Sequence, residues 1–192
     1  NTRTDMTLPA GFSQPALALV ARSSTEVATA GFAGEVLFSS APPVFVRRNL
    51  GASSNTILKL SMPPTFLNSV WASGMGGTVL FSSNAGTTWT QQGGGPLTSN
   101  SIDAIEAVDV NGTLANTLVF AAGAVGAIWK STNGGTTWAP DPDTGIVTSA
   151  LLDISCRSST SCLAVGANNT VLTWNSANWV VTSTGGARTW RA

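Results

Sequence analysis

Residues 70–89 read VWASGMGGTVLFSSNAGTTW, and residues 119–138 read VFAAGAVGAIWKSTNGGTTW. Both run through the same features in the same order: an apolar run closed by Gly, a tight turn, a second apolar run and an octapeptide ending in Trp. Shorter relatives of this pattern stand at 29–40 (TAGFAGEVLFSS) and 164–175 (AVGANNTVLTWN). The glycines that close the first run are Gly31, Gly74, Gly123 and Gly166, spaced 43, 49 and 43 residues apart. A period of about 40 to 50 residues is that of a four-stranded propeller blade.

Within each unit, apolar runs of strand length alternate with Gly, Asn and Pro punctuation, and no segment sustains a helical period. The reading gives strands at 16–21, 26–31, 35–39 and 44–48, and then at 57–61, 69–74, 78–83 and 88–91. The third unit gives 101–110, 117–123, 127–131 and 137–139, and the fourth 150–156, 162–166, 170–174 and 179–183. The expected fold is all-β: a β-propeller of four-stranded antiparallel blades, one domain over 1–192 with repeats at about 16–50, 56–95, 101–145 and 150–192. About four units make a small ring or part of a larger one.

Composition excludes several functions. The 192 residues carry nine Lys plus Arg against nine Asp plus Glu, and only 9% are charged where about 25% is usual. Zero net charge, with Arg47-Arg48 the only adjacent basic pair, argues against nucleic acid and against an anionic membrane surface. The absence of His removes Ser-His-Asp, Cys-His and zinc-hydrolase chemistry. The longest apolar stretches, such as 118–128, are far shorter than the roughly 20 residues that span a bilayer. The chain begins at Asn1 without an apolar leader, as expected of a processed mature form or a fragment. Sparse charge fits a protein held within a larger assembly.

Cys156 and Cys162 stand on either side of a Ser/Thr-rich turn between two apolar runs, which reads as a local structural disulfide between adjacent strands. Their spacing is not that of a CxxC redox pair, and no further Cys or His completes a metal site. A disulfide implies an oxidising, extracytoplasmic compartment. The triplets at 111–113 and 168–170 fit the glycosylation pattern at Asn111 and Asn168.

The octapeptides SSNAGTTW (82–89) and STNGGTTW (131–138), with a weaker STGGARTW at 183–190, resemble the Asp-box, or bacterial neuraminidase repeat. Asn84 and Asn133 stand where that family usually has Asp. The turn residues are Ser82, Asn84, Gly86 and Trp89; Ser131, Asn133, Gly135 and Trp138; and Ser183 and Trp190. Ser and Asn side chains satisfy turn backbone groups, Gly takes a positive φ, and Trp packs between blades, so the role expected of them is structural. The longer stretches around the first two boxes resemble the photosystem II stability/assembly factor family. That resemblance implies a lumenal, non-enzymatic propeller that binds photosystem II subunits. Related blades occur in sortilin-type receptors, sialidases, plant-cell-wall glucanases and secreted bacterial proteins, and four units are fewer than the about six to eight usual in such families.

A sialidase needs a Tyr nucleophile, and the chain has no Tyr. Other glycoside hydrolases need two carboxylates across a cleft; Glu35, Asp103, Glu106, Asp109 and Asp153 were the residues available. Alternation sets Asp103 and Asp109 on one face and Glu106 on the other, as on a solvated strand. Asp153 is expected near the propeller centre. Asp141 and Asp143 are too few for a Ca²⁺ site and read as a blade-to-blade loop. Trp71, Trp129, Trp174 and Trp179 are the aromatic residues available to stack on a sugar, although a repeated aromatic position in a repeat protein points to inter-blade core.

The sequence therefore points to a non-catalytic scaffold without cofactor or metal, binding protein subunits of a larger complex, with Arg47 and Arg48 the candidate partner-binding residues, a pair that also reads as a solvated edge that discourages strand pairing. The favoured case, by resemblance, is a lumenal subunit or assembly factor of a photosynthetic membrane complex. The alternative is a secreted carbohydrate-binding or cell-surface structural module.

Overall fold

The computed structural model describes Pro9 and residues 15–41, 44–49, 51 and 53–183. Trp190 and most of the third octapeptide lie outside them. Among the described residues sixteen strands form four sheets, each a sequential antiparallel meander. The first blade holds β1 (Ala16–Ala21), β2 (Val27–Gly31), β3 (Glu35–Ala41) and β4 (Val44–Asn49). The second holds β5 (Ile57–Ser61), β6 (Val70–Gly74), β7 (Val79–Ser82) and β8 (Thr90–Gln91). The third holds β9 (Ile102–Val108), β10 (Leu118–Gly123), β11 (Ile128–Ser131) and β12 (Ala139–Pro140). The fourth holds β13 (Leu151–Ser158), β14 (Ser161–Gly166), β15 (Val171–Trp174) and β16 (Trp179–Ser183).

The first strand of each blade packs against that of the next, β1 on β5, β5 on β9 and β9 on β13, so these strands line the centre of an arc. Among the described residues no comparable contact joins β13 to β1. Sheets stacked face to face bury both faces, which is why β6 (VWASG) and β10 (LVFAAG) are buried throughout and read as unbroken apolar runs.

Each seam between blades has its own core. Ala30, Val36 and Phe38 of the first blade meet Leu60, Ala72 and Leu80 of the second. Trp71 and Val79 meet Ile105, Val119 and Ala121. Phe120, Ala122 and Ile128 meet Ile154, Ala164, Leu172, Trp174 and Trp179, and Phe120 sets its ring edge-to-face on both tryptophans, with centroids 5.1 and 5.2 Å away.

The repeated glycines have a steric cause. Gly31, Gly74 and Gly123 end their strands with φ of −172°, −169° and −174°, extended backbone open to any residue. What bars a side chain is the carbonyl just before the innermost strand. A Cβ would lie 2.1 Å from Pro15 O, 2.2 Å from Thr56 O, 2.1 Å from Ser101 O and, at Gly166, 2.2 Å from Ala150 O. The next amides clamp the same place: Met75 N–H donates to Thr56 O, Ala124 N–H to Ser101 O and Ala167 N–H to Ala150 O.

The octapeptides make the tight turn from the third to the fourth strand. Ser131 Oγ accepts from the N–H of Gly135 (2.8 Å) and of Asn133 (3.3 Å) and donates to Asn133 Oδ1 (2.9 Å). Asn133 Oδ1 also accepts from Thr137 N–H at 2.9 Å, and Trp138 Nε1 donates to Gly135 O at 2.8 Å. Ser82, Asn84, Gly86, Thr88 and Trp89 repeat this set of bonds. Trp71 Nε1, from the second blade, donates to Gly134 O at 3.3 Å and so ties one blade to the next blade's turn.

Gly123→Ala is expected to cost about 3 kcal/mol, the upper end of the range for overpacking, because its Cβ meets fixed backbone; denaturant unfolding measures the loss. Ser131→Ala leaves two amides of the turn without their acceptor and is expected to cost about 1–3 kcal/mol by the same measurement.

Candidate functional site

The ends of the four innermost strands converge on a cleft of about 410 Å³. Val20 of β1 contributes to it, as do Ser61 and the Met62–Thr65 turn after β5, Glu106 to Asp109 at the end of β9, and Cys156 to Ser158 at the end of β13. Pro63, Pro64, Met62 and Val108 give an apolar floor, while Glu106, Asp109 and Arg157 supply charge of both signs. Arg157 is exposed.

Glu106 organises the interior of the cleft. Its Oε2 accepts from Ser61 Oγ at 3.0 Å, and its Oε1 from the Cys156 N–H at 3.4 Å, so one carboxylate ties three blades together. Ser61 Oγ accepts in turn from the Ala107 N–H at 3.1 Å. Burial lifts the Glu106 carboxyl above its ordinary value and the nearby negative Asp153 adds to this, whereas the bonds from Ser61 and Cys156 and the charge of Lys59 oppose it. Beside it Lys59 Nζ lies 2.6 Å from the Asp153 carboxylate, an ion pair from the second blade to the fourth that bypasses the third.

The expectation that Glu106 faces away from Asp109 does not hold. β9 ends at Val108, and Asp109 leaves the strand to accept the N–H groups of Asn111 (3.0 Å) and Gly112 (2.6 Å), so both acids line one cleft. Every carboxylate weighed as a catalytic group is bonded by the protein itself: Asp103 accepts from Ser101 Oγ, and Glu35 pairs with Arg47. Asp141 is buried and lies 2.9 Å from Lys130 Nζ, while Asp143 accepts the Trp179 N–H at 2.6 Å, fastening the third blade's outer loop to the fourth blade. Among the described residues no group of three or more His, Cys, Asp or Glu is placed to hold a metal ion.

Arg47 and Arg48 lie on β4, away from the cleft. Arg47 reaches Glu35 on β3, and Arg48 lines a separate groove with Glu26, Val44, Val46 and Asn68, its Nε buried without a hydrogen-bond partner. Cys156 and Cys162 face each other across β13 and β14 and form a disulfide, with Cα atoms 4.0 Å apart. Asn111 and Asn168 are exposed. The tryptophans weighed as sugar platforms are inter-blade core: Trp71, Trp174 and Trp179 are buried, and Trp129 packs against the second seam. None of the six described tryptophans is exposed. The cleft itself was missed, because its Pro63-Pro64 turn and Arg157 belong to no motif; the signal that marks them is their place at or just beyond the end of the innermost strand of their repeats.

The chain is a β-propeller, and solved propellers resemble it. YCF48 from Cyanidioschyzon merolae matches with TM-score 0.66 and 17% identity over 85% of this chain and 51% of that one. YCF48 bound to D1 peptide matches with TM-score 0.66 and 17% identity over 92% of this chain and 55% of that one. An ancestral GH74 enzyme matches with TM-score 0.65 and 19% identity over 91% of this chain and 25% of that one. The chain thus spans about half the length of the YCF48 structures. No protein-family model and no curated protein matches it.

Because the Glu106 carboxyl is raised, the folded state binds its proton more tightly than the unfolded state, and stability falls as pH rises from 4.5 through the folded value. Glu106→Gln keeps one oxygen, for the Cys156 N–H, and turns its NH2 toward Ser61 Oγ, which can accept from it. It is expected to flatten that part of the stability–pH curve and to leave stability at pH 7 equal or higher, as thermal melts at stepped pH would report. Replacing both cysteines by Ser is expected to cost about 2 kcal/mol, as for a short closed loop.

Proposed function

We propose that this propeller is a non-catalytic scaffold that holds an extended segment of a partner protein in the cleft at the ends of its innermost strands. The observation that carries the reading is the convergence of four strand ends on one open cleft with an apolar Pro floor and charges of both signs. A polypeptide offers both apolar side chains and hydrogen-bonding backbone to such a surface. The YCF48 propeller bound to D1 peptide lends support.

The finer reading is a subunit or assembly factor of a photosynthetic membrane complex, working in the thylakoid lumen. The disulfide fits an oxidising compartment outside the cytosol. No helix of the described residues is long and apolar enough to cross a membrane. The non-catalytic reading rests on the carboxylates, each bonded to protein donors within the fold, despite the likeness to a GH74 enzyme. Carbohydrate binding is disfavoured because the tryptophans that would stack on a sugar lie between blades.

Titration with fluorescent D1 peptide is expected to show saturable binding, weakened about tenfold by Arg157→Glu through loss of one charged contact. Co-purification from the native source with photosystem subunits is expected as well. Absence of both would overturn the reading.

A further inference from the structure

The seam between the first and second blades is closed along its inner part and open along its outer part. Phe38 of β3 is 5% exposed, whereas Val46, its partner on β4, is 47% and Val44 61% exposed. β4 runs over six residues and the outermost strand of the second blade, β8, over two, so β4 outreaches its counterpart. The result is a groove of about 310 Å³, with Phe38, Val44, Val46 and Arg48 on the side of the first blade and Asn68 and Ala85 on the side of the second.

The charge at this groove is unbalanced. Four of the six described Lys and Arg residues hold a carboxylate: Arg22 with Glu26, Arg47 with Glu35, Lys59 with Asp153 and Lys130 with Asp141. Of the remaining two, Arg157 borders the cleft and Arg48 borders the groove. Among the described residues no hydrogen bond or ion pair engages the Arg48 guanidinium, although its Nε is buried. A buried donor without an acceptor lowers stability, and the fold carries that cost here. Glu26, which also lines the groove, is neutralised by Arg22 at 3.2 Å, and Arg22 is itself fastened to the carbonyls of Leu67 and Ser69. One uncompensated positive charge therefore stands beside apolar side chains.

We propose that this groove takes an acidic residue of a partner protein, together with an apolar residue two positions away in the same extended segment. Charge complementarity selects the acid, because a guanidinium offers a carboxylate two parallel N–H donors. Spacing selects the second residue: Val46 and Arg48 stand two apart on one face of β4, and an extended segment lying along them repeats its side chains with the same period. The groove lies on an outermost strand, apart from the cleft at the ends of the innermost strands, and its occupation does not depend on that cleft being filled.

Amide NMR of the isotope-labelled 192-residue chain, titrated with acetyl-Leu-Ser-Glu-amide, is expected to show saturable shifts at Val46 and Arg48 with a dissociation constant of about 1 mM. The same peptide with Gln in place of Glu is expected to bind about tenfold more weakly, through loss of the charge-assisted contact, and Arg48→Gln to weaken the Glu peptide by the same factor. Arg157→Glu, at the cleft, is expected to leave the titration unchanged. Should Arg48→Gln depart from the parent circular dichroism, Arg48→Met, which keeps the apolar stem, carries the same expectation. No saturation by about 10 mM, equal binding of the Gln peptide, indifference to the Arg48 substitutions, loss of binding in Arg157→Glu, or the same saturable shifts with acetate alone would overturn the proposal.

Discussion

Four close approaches of backbone to backbone hold this fold in register. Where the second strand of each blade ends, a glycine lies so near the carbonyl that precedes the innermost strand that a Cβ would sit about 2.1–2.2 Å from its oxygen. That contact fixes how far the first hairpin of each blade slides on itself. The hairpin in turn decides which side chains reach the preceding blade and which reach the following one. Leu60 and Trp71, only one strand apart, serve opposite seams because of this register.

Much of this was legible in the chain itself. The spacing of Gly31, Gly74, Gly123 and Gly166 gave the blades, and the alternation between them gave strands that the structure reproduces within a few residues, β1, β5 and β16 without change. Legibility fails where position depends on several blades at once. Glu106 looks like one more acid on a polar strand, and only the fold brings Ser61 and the Cys156 amide to its two oxygens. The tryptophans are more legible: the repeated aromatic positions point to inter-blade core, and Trp129 and Trp174 pack in the seams. Blade four keeps the repeated turn with different residues: Asn168 and Asn169, at φ of 56° and 57°, take the left-handed conformations that Ala33 and Gly34 take at 55° and 65° in blade one.

The cleft and the seams draw on the same residues. Cys156 borders the cleft, donates its N–H to Glu106 and carries the disulfide that braces the hairpin of β13 and β14. Arg157 follows directly, so the exposed charge at the cleft is carried on the backbone of a covalently fastened hairpin.

The ion pair between Lys59 and Asp153 acts as a chord drawn across the arc. Among the described residues the extensive contacts between blades join neighbours, and each such seam tolerates small rotations. A chord between the second and fourth blades sums those rotations, and at 2.6 Å it has no slack in the opening direction. With Asp153 buried, salt screens the pair weakly. The distance between the second and fourth blades is thereby tied by one lysine and one aspartate in addition to the packing of the seams between them.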